Sequence, residues 1–482
     1  MLTNRILAVF SVILLIANFL GPVHGAFSTG IEDRMKAAIG FIQGQLHTSS
    51  SVRGFLHATV QGQPQRMYVE DAGLVALALS AYQETHYTQE FYSDLKMAAE
   101  FIENSQTSSG DFYEYYDLTS QAWINGGQLY YWNSYAMMGP AYAAYVITNQ
   151  AQTEKIFWAG VIDKLRACVD YWVPLRQAAD GAIIFSFPDG STKADLAANA
   201  ALLASLIHIA LFEYYWGDRN LATRYARWSE KIAGWLYSFQ EKNNSTWGFG
   251  GFYSDESGTI QRAFENGLIL FGLNTYYKAA SLLLSDFQPS ISDLREMMID
   301  WMVGFVERLL DSWGGAQYAR TASGIIPYPK TTLAMSSVLQ AAVDVWINIG
   351  PEVYWNDSQR LYDWIAGGNE LSIDLQSAAN IAGEVGGFYE GVGQNGTMTY
   401  SDLGLSALAL YAMVRAAFVS IPGDYPIPEF SGDHANAILA LALILVFSMV
   451  SRRNIAKHGG LLRTRNLNWT MLIGRNPTVP LI

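Results

Sequence analysis

Six tandem units, each an amphipathic helical stretch, a Gly-punctuated loop and an apolar stretch rich in small residues, predict an all-α fold for this chain of 482 residues. The predicted architecture is an (α/α)6 toroid of six helical hairpins with a period of about 66 residues, followed by one C-terminal transmembrane helix. Three observations carry it. YVEDAGLVALALSAY, headed by Tyr68, is echoed near the other end by YSDLGLSALALYAM at 400–413. Weaker copies lie between, anchored at Asp71, Asn133, Asn199, Glu265, Thr332 and Asp402, with spacings of 62, 66, 66, 67 and 70. Charged residues are only 15% and apolar ones 50%, which supplies a large core.

Residues 1–25 read as a secretory signal: Arg5 in a short basic start, the apolar run ILAVFSVILLIANFL, and Val23-His24-Gly25 before cleavage at Ala26. The toroid is expected to occupy 26–420. Each anchor is preceded by a Gly turn: Gly54-Phe55, Gly110-Asp111-Phe112, Gly181, Gly251-Phe252, Gly315 and Gly387-Phe388. Before each turn lies an amphipathic stretch such as IEDRMKAAIGFIQGQL or TRYARWSEKIAGWLYSFQ, with apolar residues at helical spacing. The stretches after the anchors hold few charges and many Ala, Gly, Ser and Leu, so they are expected to be packed on all sides. An outer polar-faced helix and an inner buried helix therefore make one unit. A linear solenoid of the same hairpins would need polar capping repeats, and neither end unit has that character.

Residues 421–434 are the linker, 435–450 (ANAILALALILVFSMV) the transmembrane or sorting helix, and 451–482 a basic cytoplasmic tail opened by Arg452-Arg453. Sixteen residues rise about 24 Å against a hydrocarbon core of about 30 Å, so the segment is a thin span or a processed signal. The expected location is the outer face of the cell membrane, held there by the C-terminal helix.

Charge excludes several partners. Leaving aside Arg5 and the six basic residues after Val450, the exported part holds 43 acidic and 23 basic groups, a net charge of −20. Such a field opposes nucleic acid and anionic lipid surfaces. Cys168 is the one thiol, flanked by apolar neighbours, so neither a disulfide within the chain nor a Cys zinc cluster is available. The seven histidines show no metal spacing, and no EF-hand pattern is present. No metal and no cofactor is expected. Asn243, Asn244, Asn356 and Asn395 head glycosylation sequons.

The six hairpins with Gly-aromatic loops ahead of apolar inner helices resemble the six-hairpin glycosidase superfamily. The GGFY segments at 250–253 and 386–389 also resemble repeats of terpenoid cyclases and prenyltransferases. The sequence lacks the D-x-D-D acid motif of squalene-type cyclases and the Asp, Cys and His zinc set of protein prenyltransferases. The C-terminal segment, with Pro426-Ile427-Pro428-Glu429-Phe430 ahead of the apolar run and an Arg pair after it, resembles archaeal surface-anchoring signals.

The glycosidase resemblance implies a site where the long outer-to-inner loops meet the N-termini of the inner helices. In this chain that face collects the six anchors, with Glu70 and Asp195 close by. Glycoside hydrolysis uses two carboxyl groups about 5–9.5 Å apart. Neighbouring helices pack about 8–10 Å apart, so closure of the ring is expected to bring Asp71 and Asp402 to the spacing of an inverting pair. Glu265 could replace either, which makes Asp71, Glu265 and Asp402 the catalytic candidates. An acid in a first helical turn is also favoured simply as a cap.

Aromatic and polar residues of the loops are expected to bind the sugar: Tyr130, Tyr131, Trp132, Tyr253 and Tyr389 by stacking, and Glu70, Asn133, Asn199 and Glu390 through hydroxyls. The sequence reading is thus a surface-anchored carbohydrate-active protein, a glycoside hydrolase acting on a carbohydrate substrate. Its alternatives are a binding or scaffold toroid of the cell envelope, and a polysaccharide lyase using Tyr with Lys330 or Arg262.

Overall fold

The structure is a computed structural model, described here for residues 30–420 except 50–51, 59–64, 87, 256, 313, 350–352, 367–374, 377–387 and 394–395. The expected signal peptide, linker, C-terminal helix and basic tail lie outside the described residues, as do sequon Asn395 and the Gly387 turn.

Twelve helices form among the described residues. The outer helices are α1 (Ile31–Gly44), α3 (Tyr92–Asn104), α5 (Lys155–Arg176), α7 (Arg219–Tyr237), α9 and α11 (Val353–Ala366). Helix α9 runs from Ile291–Asp300 through a π-helical segment, Trp301–Val306, to Glu307–Leu309. The inner helices are α2 (Val69–His86), α4 (Trp132–Gln150), α6 (Leu196–Trp216), α8 (Ala263–Leu283), α10 (Thr332–Ile349) and α12 (Leu403–Ser420).

Each inner helix packs on the next, and α12 packs back on α2, so the inner ring is closed. The patterning explains the layering. In α6 every residue from Leu196 to Glu213 is buried, whereas α7 buries only one stripe, including Ala222, Tyr225, Ala226, Ser229, Ile232, Ala233 and Leu236. Helices α6 and α10 are long and apolar enough to cross a membrane by composition, but burial within the ring accounts for that character. Each fully buried Leu, Ile or Val adds about 1.5–3 kcal/mol, so a helix buried on every side is held by packing alone.

The outer ring closes through a device that the sequence reading passed over. Gln106, at the end of α3, donates its amide to the carbonyl of Gly110 in its own turn and to Lys164 of the next outer helix. Gln177 repeats this with Gly181 and Trp228, and Gln240 with Gly250 and Met297. Gln376, in unit six, reaches the carbonyl of Arg34 in α1, 342 residues away. Glycine is required in these turns. Gly110 and Gly181 have φ of 86° and 105°, and a β-carbon there would collide with the carbonyls of Ala167 and Lys231.

Among the described residues thirteen short strands lie in the outer-to-inner loops, so the fold is not purely helical. β3 (Arg66–Tyr68) of unit one pairs with β4 (Tyr115–Asp117) and β5 (Ala122–Ile124) of unit two. β8 (Ile260–Arg262) joins β9 (Ala319–Thr321) and β10 (Gly324–Ile326); β11 (Lys330–Thr331) joins β12 (Tyr389–Gly393) and β13 (Gly396–Ser401). All are antiparallel. Their pairing across unit boundaries stiffens one face of the ring, where loops of 19 residues and more replace the short turns of the other face.

Candidate active site

The long-loop face holds a cavity of about 630 Å3. Its polar walls are His57, Glu70, Asp71, Glu390 and Asp402; Tyr131, Tyr135, Phe264 and Leu333 supply much of the apolar area. Ring closure assembles its acid wall, which comes from units six and one, while units two, four and five add the remaining walls.

His57 is the joint. It follows β2 (Arg53–Phe55), donates its backbone N–H to Arg66 at 2.9 Å and accepts at its carbonyl from the Leu403 N–H at 2.9 Å, an otherwise orphan donor at the start of α12. Its Nδ1 stands 2.7 Å from Oδ2 of Asp71. Burial opposes the imidazolium, but the Asp71 carboxylate, assisted by Asp402 and Glu70, outweighs it and raises the pKa to about 9. At neutral pH His57 is therefore the cationic partner of Asp71.

Glu70 and Asp402 are pushed toward their neutral forms. Burial, then the charges of Asp71 and Glu114, raise Glu70 to about 8. Asp402 is raised to about 6 by burial and by Asp71. It also caps its helix, accepting from the Leu405 N–H at 2.7 Å, so the capping and cavity roles coexist in one side chain. A carboxyl protonated at pH 7 beside ionised ones is the arrangement that acid–base catalysis requires.

Asp71 and Asp402 thus meet as expected, but closer. Donor atoms of His57, Asp71 and Asp402 all lie within 4.8 Å of one another. That is tighter than the roughly 6.5–9.5 Å of an inverting pair, because His57 ties the starts of α2 and α12 together. These three could also ligate a divalent ion. Sequence spacing, which gave no metal site, had no means of bringing His57 and Asp402 together.

Other assignments are corrected. Asn133, Asn199 and Trp132 are fully buried and face the scaffold. Oδ1 of Asn133 accepts from the Phe112 N–H at 2.7 Å, Oδ1 of Asn199 from Ile183 at 2.8 Å, and the Trp132 indole donates to the Phe112 carbonyl. Asn266 and Ser406 grip Phe252 and Phe388 in the same way. The gripping residue stands four positions after Asp195, Arg262 and Asp402, so Asp195 and Arg262 are the true counterparts of Asp402. Asn199 and Glu265 thus stand about one helical turn beyond the positions equivalent to Asp402.

Glu265 accordingly leaves the acid cluster. It lines an adjoining cavity and pairs with Arg262 at 3.1 Å. Tyr253 borders a separate small cavity and donates to Glu241. Tyr130 stacks on Trp132 with centroids 4.1 Å apart, and the Tyr389 backbone carbonyl holds Thr332. Tyr131 and Glu390 do line the main cavity, Tyr131 stacked on Phe187. Cys168 is buried and its thiol pushed up by burial, in keeping with an unreactive role.

His57 was the residue missed, and a signal for it exists. Phe55, Phe112, Ile183, Phe252, Ala316 and Phe388 are the bridged residues of the six turns. Two positions on stand His57, Glu114, Phe185, Ser254, Tyr318 and Glu390, of which His57 and Glu390 line the main cavity and Tyr318 the adjoining one.

No protein-family model and no curated protein matches the sequence. Solved structures do match the fold. A cellobiose 2-epimerase from Bacillus thermoamylovorans B4167 superposes with a TM-score of 0.60 at 10% identity, covering 80% of this chain and 97% of that one. A D-mannose isomerase gives 0.58 at 11% identity, covering 82% and 99%. A GH76 α-mannanase from Bacteroides thetaiotaomicron gives 0.54 at 13% identity, covering 81% and 96%. The fold is that of the six-hairpin glycosidase-like (α/α)6 toroids, and these neighbours are carbohydrate-active enzymes.

Proposed function

We propose that this chain is a carbohydrate-active enzyme, a glycoside hydrolase in which Glu70 is the general acid. Asp71, held by His57, serves as nucleophile or base, and Asp402 completes the negative pocket that stabilises an oxocarbenium-like transition state. One observation carries the reading: neighbouring carboxyl groups in a single cavity, with Glu70 raised to about 8 and Asp71 paired to an imidazolium. Both basic groups that a lyase would use are already paired, Arg262 with Glu265 and Lys330 with Asp311, which disfavours that chemistry.

His57 supports a second reading, proton transfer at a sugar carbon beside a carbonyl. The imidazolium would polarise the carbonyl while Asp402 takes the proton. The export signal and the apolar segment 435–450 suggest that the enzyme works at the outer face of the cell membrane; membrane fractionation and protease accessibility of the full chain test this.

The deciding experiment incubates the full chain with a panel of neutral glycans in deuterium oxide, beside Glu70→Gln and Asp402→Asn proteins of matched Tm. New reducing ends that vanish in both variants support hydrolysis. Deuterium at a sugar carbon without cleavage supports the second reading. Binding without either reaction would leave a carbohydrate-binding toroid of the envelope.

A further inference from the structure

The acid-lined cavity does not end at Phe264. Phe264, Thr331 and Leu333 are also walls of a second cavity of about 330 Å3, whose remaining lining includes Arg262, Glu265 and Tyr318. Each compartment by itself reaches the lower end, about 300 Å3, of ordinary ligand pockets. Units six and one supply the acids of the first, whereas units four and five build the second and the shared walls Phe264, Thr331 and Leu333. The side chains differ in kind as well. The first compartment is crowded with carboxyls, whereas in the second the Arg262 guanidinium sits 3.1 Å from Oε1 of Glu265 and offsets its charge.

Backbone geometry fixes this pair. Arg262 ends β8 and its N–H is held by the Ser254 hydroxyl at 2.9 Å; Ala263, opening α8, donates to the Tyr318 carbonyl. The guanidinium is therefore presented on a stiffened strand end and the carboxylate in the helical turn that follows, both half-buried, in a cavity that Phe264 and Tyr318 also line. A planar acceptor and a planar donor side by side match neighbouring hydroxyls, which each give and take a hydrogen bond. Aromatic faces beside them match the C–H face of a pyranose.

Resting on the carbohydrate reading above, we propose that the second compartment is a sugar subsite, and that the substrate is a neutral oligosaccharide of at least two rings lying across Phe264 and Leu333. Arg262 and Glu265 bind the hydroxyls of the ring next to the one that reacts. A uronic acid is not the ligand, because the guanidinium already has its carboxylate.

The test compares kcat/KM of the full chain on aryl glycosides carrying one, two and three neutral sugars, with Arg262→Ala and Glu265→Gln assayed alongside. The expected result is a rise of at least tenfold from one ring to two. In either variant the loss on the two- and three-ring substrates should exceed the loss on the one-ring substrate tenfold or more, chiefly through KM. Glu265→Gln is nearly isosteric, so it keeps the test decisive should Arg262→Ala fold poorly. Equal turnover at every chain length, or equal losses on all of them, overturns the subsite while leaving the carbohydrate reading intact. If no glycan is turned over, tritiated or fluorescent tri- and tetrasaccharides are titrated by equilibrium binding; absence of any binding overturns both the subsite and the carbohydrate reading.

Discussion

Gly404 and Asp71, 333 residues apart in sequence, touch across the seam where the ring closes: a β-carbon added to Gly404 would overlap Oδ1 of Asp71. The second glycine of the repeated motif is thus the space into which the carboxylate of the first copy fits. Its counterpart Gly73 plays another part, since a β-carbon there would run into the backbone of Tyr135 and Ala136 in α4. Gly404→Ala is expected to lower kcat at least tenfold with a small change in Tm, because a side-chain carboxylate has to shift. Gly73→Ala is expected to cost about 1–3 kcal/mol or more, because backbone has to shift. Thermal melts and steady-state kinetics of the two proteins separate these roles.

The pH profile follows from Glu70 and Asp402. Glu70 acts protonated, so activity falls as pH rises through about 8; Asp402 acts ionised, so activity falls as pH drops through about 6. A plot of kcat/KM against pH should peak between these values. A rate still rising above pH 9 would remove Glu70 as the acid.

His57 ties stability to pH. Its folded pKa of about 9 exceeds the ordinary value near 6.5, so the stabilisation from the Asp71 pair is complete below about pH 6.5 and is lost as pH rises through 9. His57→Asn should lower Tm at pH 6 and converge on the parent protein above pH 9. A constant difference at every pH would mean an uncharged pair. Turnover should drop at least tenfold, since Asp71 loses its orientation.

Far from the cavity, Gln240 donates to Gly250 and Met297 while buried. Gln240→Leu leaves two buried carbonyls without this donor and should cost about 1–3 kcal/mol in urea unfolding, with kcat unchanged.

On the opposite side of the ring from the cavity, Asp344 of α10 meets Arg415 of α12 at 2.6 Å and Lys278 of α8 at 3.3 Å. Asp344→Asn removes the carboxylate that faces the buried Arg415 guanidinium and should cost about 3–5 kcal/mol, whereas Lys278→Met should cost less, since Lys278 is 40% exposed. Denaturant midpoints decide between them.

The sequence by itself determined the six hairpins, their period and which helix of each pair lies inside. Those properties reside in local composition: Ala, Gly and Leu all round for α6, one apolar stripe for α7. It also placed Glu70, Asp71 and Asp402 at one face, because a first-turn acid marks a helix start. Phase within a turn was not legible. Residues three or four apart share a helix face, so Glu265 passed for the counterpart of Asp71 until the grip of Asn266 on Phe252 identified Arg262. The place of His57, two residues after the bridged Phe55 of its turn, was legible by comparing the six turns, but its partners were not. Only closure of the ring decided its role. The contact of α12 with α2 brings Leu403 under its carbonyl and Asp71 against its imidazole, and burial in the cavity so enclosed raises Glu70 and Asp402 to different extents. Charge–charge coupling depends on distance in space, and a distance set by the first and last units of a ring is fixed by the tertiary fold alone.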